Sequence, residues 1–195
     1  MPPNGDDGRG GRPKAGTGLV RAIFLDRDGV LIRTDVREGR PYAIRKSADL
    51  EYLPGAREAV QRARELGFLT VVVTNQPDVA RGLADRSEVD AMHAQLTSAL
   101  GVDDVQACFE IEGPDSRRYK PRPGMLLDAA EQFGIDLEES YLIGDRWRDI
   151  DAGQAAGCFS IFIDCGYDEE LRQPPDAVVS DITSAMDLIV GRERD

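Results

Sequence analysis

The feature that most constrains the fold is a regular alternation of short apolar strands and helices between residues 21 and 190. The segment 68–73 is continuous, apolar and rich in β-branched residues, which is typical of a buried parallel strand. The segment before it predicts a helix that begins at Pro54 and ends at Gly67. Because such alternation favours a parallel sheet with helices on both faces, we predict a Rossmann-like α/β fold with three α/β/α layers.

The remaining predicted elements follow the same alternation. Strands are predicted at 21–25, 68–73, 105–111, 140–143, 159–163 and 177–179. Helices are predicted at 54–66, 87–100, 123–133, 150–156 and 182–190. Ser87 and Asp90 have the spacing of a capping box, which predicts that the second helix begins there.

The length and composition predict one globular domain preceded by a tail. A chain of 195 residues is long enough for one sizeable core. Residues 1–18 contain six glycines and three prolines and have no apolar periodicity, so we predict a disordered tail there. Residues 19–195 are predicted to form the single domain.

Charge and hydropathy exclude several classes of protein. The net charge of -12 argues against nucleic-acid binding, which needs a basic face. No apolar run approaches the ~20 residues of a membrane span, and the N-terminus lacks the apolar core of a secretion signal. Three cysteines without framework spacing suggest reduced thiols. We expect a cytoplasmic monomer without a nucleic-acid or membrane partner.

The first strand is followed by a pair of carboxylates, Asp26 and Asp28, and by Gly29. One residue separates the two aspartates, so both can point into the cleft where the strand ends. Their mutual repulsion would be relieved by a divalent cation, and Mg²⁺ prefers carboxylate oxygens. The glycine allows a sharp turn. A polar turn after a strand is the alternative for this motif alone.

Three more strand ends carry polar groups: residues 74–76, Lys120, and Asp145 with Asp149. Each has a plainer alternative as a turn, a solvated lysine or a helix cap. Together they lie where ligands bind in open α/β sheets. A nucleophilic carboxylate, a second carboxylate for proton transfer, and a lysine with a cation are what phosphoryl transfer needs. The pattern therefore predicts a phosphotransfer site.

Four motifs resemble those of the haloacid dehalogenase superfamily of phosphatases: residues 26–29, 73–76, 120–125 and 144–149. Within it, they are similar to the heptose-bisphosphate phosphatase and histidinol-phosphatase branch, over residues 21–164. The resemblance implies a fold without a large cap domain and an Mg²⁺-dependent phosphomonoesterase. The implied substrate is a small phosphorylated metabolite, foremost D-glycero-D-manno-heptose 1,7-bisphosphate, which would lose its 7-phosphate. Histidinol phosphate and an inactive scaffold are the alternatives.

The resemblance also implies residue roles. Asp26 would be the nucleophile and Asp28 the general acid/base. The ligands of Mg²⁺ would be Asp26, the backbone carbonyl of Asp28, and Asp145, and Asp149 would orient that site from behind. The residues expected to bind the phosphoryl group are Thr74, Asn75, Gln76 and Lys120. Segments 32–53 and 76–86 would select the substrate, with Arg33, Tyr42 and Arg45 as candidates.

One departure from the family pattern concerns its zinc loop. The four ligand positions of that loop are occupied here by Cys108, Glu110, Ser116 and Arg118. Because structural zinc needs four ligands, usually Cys or His, we predict that zinc is absent. We expect Arg118 to pair with Glu110 or Glu112 instead. Tyr119 stands where the family has an arginine, which removes a cationic substrate contact.

Overall fold

The structure is a computed structural model that describes residues 18–194. Apart from Gly18, the predicted tail lies outside the described residues. The strands are β1 (Ala22–Leu25), β2 (Asp35–Arg37), β3 (Arg40–Tyr42), β4 (Leu69–Asn75), β5 (Asp104–Cys108), β6 (Tyr141–Gly144), β7 (Phe159–Ile163) and β8 (Ala177–Val179). The helices are α1 (Ala56–Glu65), α2 (Pro77–Ala80), α3 (Arg86–Gln95), α4 (Gly124–Phe133), α5 (Trp147–Ala156) and α6 (Ile182–Arg192), with a 3₁₀ turn at Ser47–Asp49 and a π-helical turn at Leu96–Leu100.

Six strands form one central sheet in the order β5-β4-β1-β6-β7-β8. Every neighbouring pair in this sheet is parallel. The chain leaves β1 toward β4 and β5, and later returns to the other side of β1 through β6. Such a reversal places the carboxyl ends of neighbouring strands around one crevice.

Successive residues of β1 point to opposite sides of the sheet. Both faces of the sheet are therefore apolar, and helices cover each of them. Phe24 packs in one core with Met125 and Leu126 of α4. Ile23 and Leu25 pack in the other core, which contains the apolar residues of α1 and α6. Each of these side chains is almost fully buried. The predicted three-layer α/β fold is confirmed.

Between β1 and α1, the only helices and strands of the described chain are the antiparallel hairpin β2–β3 and the 3₁₀ turn. The described part therefore contains no large cap domain. No helix within residues 18–194 has the length and apolar character needed to cross a membrane.

Several element boundaries differ from those predicted. The strands β7 and β8 lie where the sequence placed them, but β5 ends at Cys108 rather than at Ile111. Helix α5 begins at Trp147, three residues before the predicted start. The hairpin and the short helix α2 were not predicted, because short exposed segments carry little periodicity.

The predicted capping box at the start of α3 is wrong. Asp85 occupies the N-cap position, and Ser87 lies inside the first turn. The Asp90 carboxylate accepts from Nε of Arg86 at 2.8 Å. This pair has the i, i+4 spacing that stabilises an exposed helix face.

Candidate active site

A cavity of about 360 Å³ opens at the carboxyl ends of β1, β4 and β6. The fold brings to it all eight residues that the sequence singled out. They are Asp26, Asp28, Thr74, Asn75, Gln76, Lys120, Asp145 and Asp149. Parallel strands deliver these residues to one edge although they are far apart in the chain.

Lys120 lies at the centre of the cavity floor. Its ammonium group donates to Oδ1 of Asp26 at 2.6 Å, to Oδ1 of Asp149 at 2.5 Å and to the carbonyl of Val73 at 2.7 Å. The side chain is only 3 % exposed. Burial alone would lower the pKa of Lys120, but Asp149 and Asp26 together raise that pKa above its ordinary value. The lysine is therefore a permanent cation.

Three carboxylates crowd the same floor. One oxygen each of Asp26, Asp145 and Asp149 lies within 4.8 Å of the others. Burial and the charge of Asp26 raise the pKa of Asp145 well above its ordinary value. Burial raises the pKa of Asp149 to about 6, although Lys120 opposes that change. One lysine does not neutralise three carboxylates, so the site has an excess of negative charge.

Asp145 carries the observation that fits a cation best. Both of its carboxylate oxygens are buried and neither meets a donor in good hydrogen-bond geometry among the described residues, although the nearby Tyr167 hydroxyl favours the charged carboxylate. Gly29 lies against it with φ +84, and a methyl group there would come within 1.9 Å of Oδ2 of Asp145. Burying a carboxylate oxygen is costly unless the oxygen accepts a hydrogen bond or binds a metal ion. The oxygen-only ligand set suits Mg²⁺.

Both oxygens of the Asp149 carboxylate accept hydrogen bonds. Oδ1 accepts from Lys120, and Oδ2 accepts from the backbone N–H of Arg146 at 3.1 Å, which precedes α5. The plainer alternative of a helix-terminal contact thus holds for Asp149 alongside its place in the floor. A carboxylate occupied in this way orients the lysine.

The Asp28 carboxylate faces the cavity with 16 % of its side chain exposed. Its Oδ2 accepts from Nε2 of Gln76 at 3.1 Å, and the same amide nitrogen donates to Oγ1 of Thr74 at 3.0 Å. Burial raises the pKa of Asp28, while the Arg27 guanidinium opposes the shift. A carboxyl group with a raised pKa holds its proton more readily than an ordinary aspartate, as a general acid must.

The side chain of Asn75 is committed to the backbone. Its amide donates to the Lys120 carbonyl at 3.0 Å, and its oxygen accepts from the Lys120 N–H at 3.0 Å. This reciprocal pair fixes the segment that carries the lysine. The structure thus places the side chains of Asn75 and Gln76 beside the floor in contact with its other members.

Two of the three candidates for substrate selection line the cavity. Tyr42 and Arg45 lie on the wall opposite the floor. Arg33 does not line this cavity, which corrects the expectation for that residue. Its exposed side chain pairs with Glu51 at 3.2 Å. It lines a separate cavity together with Leu53 and Pro54.

Other arginines at the cavity were not predicted. Arg81, Arg146 and Arg148 contribute to the lining. Arg81 lies in the segment 76–86 that was expected to select the substrate, and the other two lie in the motif 144–149. None was singled out, because surface arginines are common and only the folded chain shows which of them face a cleft.

The expected partners of Arg118 are wrong. Its side chain contacts Asp128 at 3.3 Å and donates to Gln106 at 2.9 Å, on α4 and β5. Glu112 pairs instead with Arg148, at 2.9 Å. The end of the loop doubles back over the start of α4, so Arg118 faces that helix instead of the nearby glutamates.

Arg122 ties together the loop that contains the family's zinc-ligand positions. It donates to the backbone carbonyls of Gly113 and Ser116, at 2.5 and 2.6 Å. Of the four zinc-ligand positions, only Cys108 and Glu110 carry side chains that commonly bind zinc. The two hydrogen bonds of Arg122 connect separate parts of this loop.

Sequence reasoning also missed Arg27 and His93. Arg27 is completely buried, and its guanidinium contacts both Asp28 and His93. A signal existed for each: Arg27 stands between two aspartates, and His93 is the single histidine of the chain.

Comparison with known families and proteins gives a consistent result. The haloacid dehalogenase-like hydrolase family matches residues 34–157. A relative from Thermosynechococcus vestitus, named D-glycero-D-manno-heptose-1,7-bisphosphate 7-phosphatase, is 30% identical over 86% of this chain and 94% of its own length. A Rhodopseudomonas palustris protein named D-glycero-beta-D-manno-heptose-1,7-bisphosphate 7-phosphatase is 35% identical over 70% of this chain and 79% of its own length.

A solved structure is similar as well. The crystal structure of D,D-heptose 1,7-bisphosphate phosphatase from B. bronchiseptica, complexed with magnesium and phosphate, superimposes with a TM-score of 0.77. It is 27% identical in sequence, and the match covers 89% of this chain and 99% of that one.

Proposed function

The chain belongs to the haloacid dehalogenase-like hydrolases, and from this premise we propose that it removes a phosphoryl group from a small phosphorylated sugar. Its relatives carry the names of phosphatases, so the protein is a phosphoric monoester hydrolase. The observation that carries the proposal is the buried group of Asp26, Lys120 and Asp145 at the strand ends, with Asp28 facing the same cavity. These are the parts that phosphoryl transfer through a carboxylate nucleophile needs.

Mg²⁺ is the cofactor that this site would take. Asp26, Asp145 and the backbone carbonyl of Asp28 would supply its ligands, and Asp149 would stay behind them on Lys120. When bound, the ion offsets negative charge on the phosphoryl oxygens. The unpaired oxygens of Asp145 support this assignment, as does the magnesium in the similar B. bronchiseptica structure.

The proposed reaction has two steps, both at Asp26. An Asp26 carboxylate oxygen attacks phosphorus, the bond from phosphorus to the sugar oxygen breaks, and protonated Asp28 gives its proton to that oxygen. Water then attacks the aspartyl phosphate and loses a proton to Asp28, so phosphate leaves and both carboxyl groups return to their starting states. Lys120 keeps Asp26 in place and offsets charge on the transferred group.

Thr74 and Lys120 are proposed to bind the phosphate directly. Asn75 and Gln76 are proposed to support that binding indirectly. The Thr74 hydroxyl and the Lys120 ammonium lie on the floor beside Asp26. The amides of Asn75 and Gln76 act through the groups they already contact, namely the Lys120 backbone and the Asp28 carboxylate.

The charge of the cavity wall favours a bisphosphate over histidinol phosphate. Outside the eight residues that the sequence singled out, the lining contains four arginines and one aspartate, Asp78. The arginines are Arg45, Arg81, Arg146 and Arg148. Arg45 and Arg81 share Asp78, Arg146 pairs with Glu169, and Arg148 pairs with Glu112, so the four arginines exceed their carboxylate partners by one charge. This remaining positive charge attracts a second phosphate and repels the ammonium group of histidinol phosphate. We therefore propose D-glycero-D-manno-heptose 1,7-bisphosphate as the substrate, with loss of the 7-phosphate.

We propose that the protein works without zinc. The loop with Cys108 and Glu110 has its own cross-links through Arg122 and Arg118. Metal analysis of protein purified without added metal should give far less than one zinc per chain. Stoichiometric zinc would contradict this proposal.

The proposed setting is carbohydrate metabolism in the cytoplasm, with the protein acting as a monomer on a soluble metabolite. All three cysteines, Cys108, Cys158 and Cys165, are free thiols, which supports a reducing compartment. Sedimentation of the purified protein tests the monomer.

The deciding experiment is a phosphate-release assay with heptose 1,7-bisphosphate, heptose 7-phosphate and histidinol phosphate, each with Mg²⁺ and with a chelator. We expect the highest kcat/KM on the bisphosphate and no turnover with the chelator. A higher kcat/KM on histidinol phosphate would replace the proposed substrate. Full activity with the chelator would reject the metal-assisted reaction.

A further inference from the structure

Arg27 is the one side chain between the two aspartates, and it points away from the cavity into the protein. It is 0% exposed. Its Nε and Nη2 donate to the two oxygens of the Asp28 carboxylate, at 3.0 and 3.1 Å. Its remaining nitrogen, Nη1, lies 3.3 Å from Nε2 of His93 on α3. All three nitrogens of the buried guanidinium thus have partners.

The contact with His93 fixes the state of that imidazole. A guanidinium only donates, so Nε2 of His93 must accept, and the ring is neutral with its proton on Nδ1. Burial and the charge of Arg27 lower the pKa of His93 to about 4, which agrees with this geometry. His93 therefore provides the acceptor that lets Nη1 be buried without an unpaired donor.

The Asp28 carboxylate is held from two sides. Oδ2 receives Nε of Arg27 and Nε2 of Gln76 and also lies 2.9 Å from Nη2 of Arg27, whereas Oδ1 has only Nη2, at 3.1 Å. Because a carboxylate oxygen has two lone pairs, Oδ1 keeps one free for a proton. The fork geometry of the arginine sets the plane of the carboxyl group, which a single-point contact would not do.

We propose that Arg27, supported by His93, is a positioning residue that fixes the Asp28 carboxyl so that Oδ1 carries the proton for the leaving oxygen. This inference rests on the proposed function, because it assigns a part in that reaction. Arg27 and His93 do not touch the substrate. They act only through Asp28, so their loss affects proton transfer to the leaving group.

Two substrates separate this role from a general structural one. A sugar oxygen is a poor leaving group that needs a proton, whereas p-nitrophenolate leaves without one. Because kcat/KM reports the step up to the first irreversible bond cleavage, the ratio of kcat/KM on a sugar phosphate to that on p-nitrophenyl phosphate measures the proton transfer. A loosened fold would lower both values together.

The test compares His93→Leu with His93→Gln in the full-length protein with Mg²⁺. Leucine removes the acceptor for Nη1, whereas the glutamine oxygen can replace Nε2. We expect His93→Leu to lower kcat/KM on the sugar phosphate by about 10- to 100-fold and on p-nitrophenyl phosphate by about 2-fold or less. His93→Gln should restore the wild-type ratio. Arg27→Lys, which loses the fork, should shift the ratio in the same direction as His93→Leu.

Two results would overturn the assignment. Equal losses on both substrates in His93→Leu, or a ratio unchanged from wild type in all variants, would show that Arg27 and His93 do not position the proton donor. Either result leaves the proposed function intact if wild-type activity depends on Asp26. Activity that survives Asp26→Asn would instead reject the proposed function, and the role of Arg27 with it.

Discussion

The floor of the cavity, made of Asp26, Lys120, Asp145 and Asp149, consists of charged side chains that are almost completely buried, whereas the outer wall faces solvent. The outer wall contains Tyr42, Arg45, Asp78 and Arg81. The side chain of Lys120 is 3% exposed and that of Arg45 is 46% exposed. The two surfaces face the same cavity, but the ion pairs of the floor are shielded from water, whereas those of the outer wall are in contact with it.

In the floor, removing one partner leaves a buried charge uncompensated, which is strongly destabilising. On the outer wall, Arg45 and Arg81 share Asp78 in pairs that water and salt screen. The floor can therefore keep the chemistry fixed, and the outer wall can change its charges with little effect on folding.

The largest expected effect comes from Asp26→Asn. An amide cannot attack phosphorus, while its oxygen can still accept from Lys120, so the fold should survive. Phosphate release should fall on the order of 10³-fold or more. The assay is steady-state kinetics, with circular dichroism to verify folding. Substantial remaining turnover would show that the floor does not supply the nucleophile.

The next effect concerns stability and contrasts the two surfaces directly. Lys120→Met leaves Asp26 and Asp149 buried without their cation, and should lower the free energy of unfolding by about 3–5 kcal/mol. The control Arg45→Met breaks an exposed pair and should cost less than about 1 kcal/mol. Urea denaturation measures both. Similar losses in the two variants would mean that the surfaces do not differ as described.

A third effect separates crowding from backbone strain. Gly29→Ala places a methyl group 1.9 Å from Oδ2 of Asp145 and should weaken Mg²⁺ binding by about 10-fold or more. Gly82→Ala is the matched control, because Gly82 also has positive φ but nothing lies within 4 Å of the added methyl group. Activity titrated with Mg²⁺ gives the affinities. An equal change in both variants would attribute the effect to strain alone.

The smallest effect is on pH dependence. The folded pKa of Asp149, about 6, lies above the ordinary aspartate value, so the folded state takes up a proton as pH falls toward 6 and is stabilised relative to higher pH in the absence of metal. Metal must then compete with protons on the floor. The rise in Tm caused by Mg²⁺ should be smaller at pH 5.5 than at pH 7.5 by scanning calorimetry. A rise independent of pH would contradict the raised pKa values of Asp145 and Asp149.

The strands and the composition of the site could be predicted because both depend on local sequence. The segment 68–73 carries the apolar, β-branched pattern of β4, and the polar residues Thr74 and Asn75 form the last two positions of that strand. The capping box at Ser87 failed because the same residue types also occur inside a first helical turn. The partners of Arg118 failed because spacing along the chain does not show where a loop doubles back.

The sequence by itself determined the layered fold and the chemical types at the strand ends, since the type and succession of elements along the chain follow from local patterns. Only the tertiary structure decided which groups meet. Lys120 contacts Asp26 although 94 positions separate them in the sequence, and Arg27 contacts His93 although 66 positions separate them. The pairing of buried charges depends on which elements pack together, because each charge must find its partner where water is excluded.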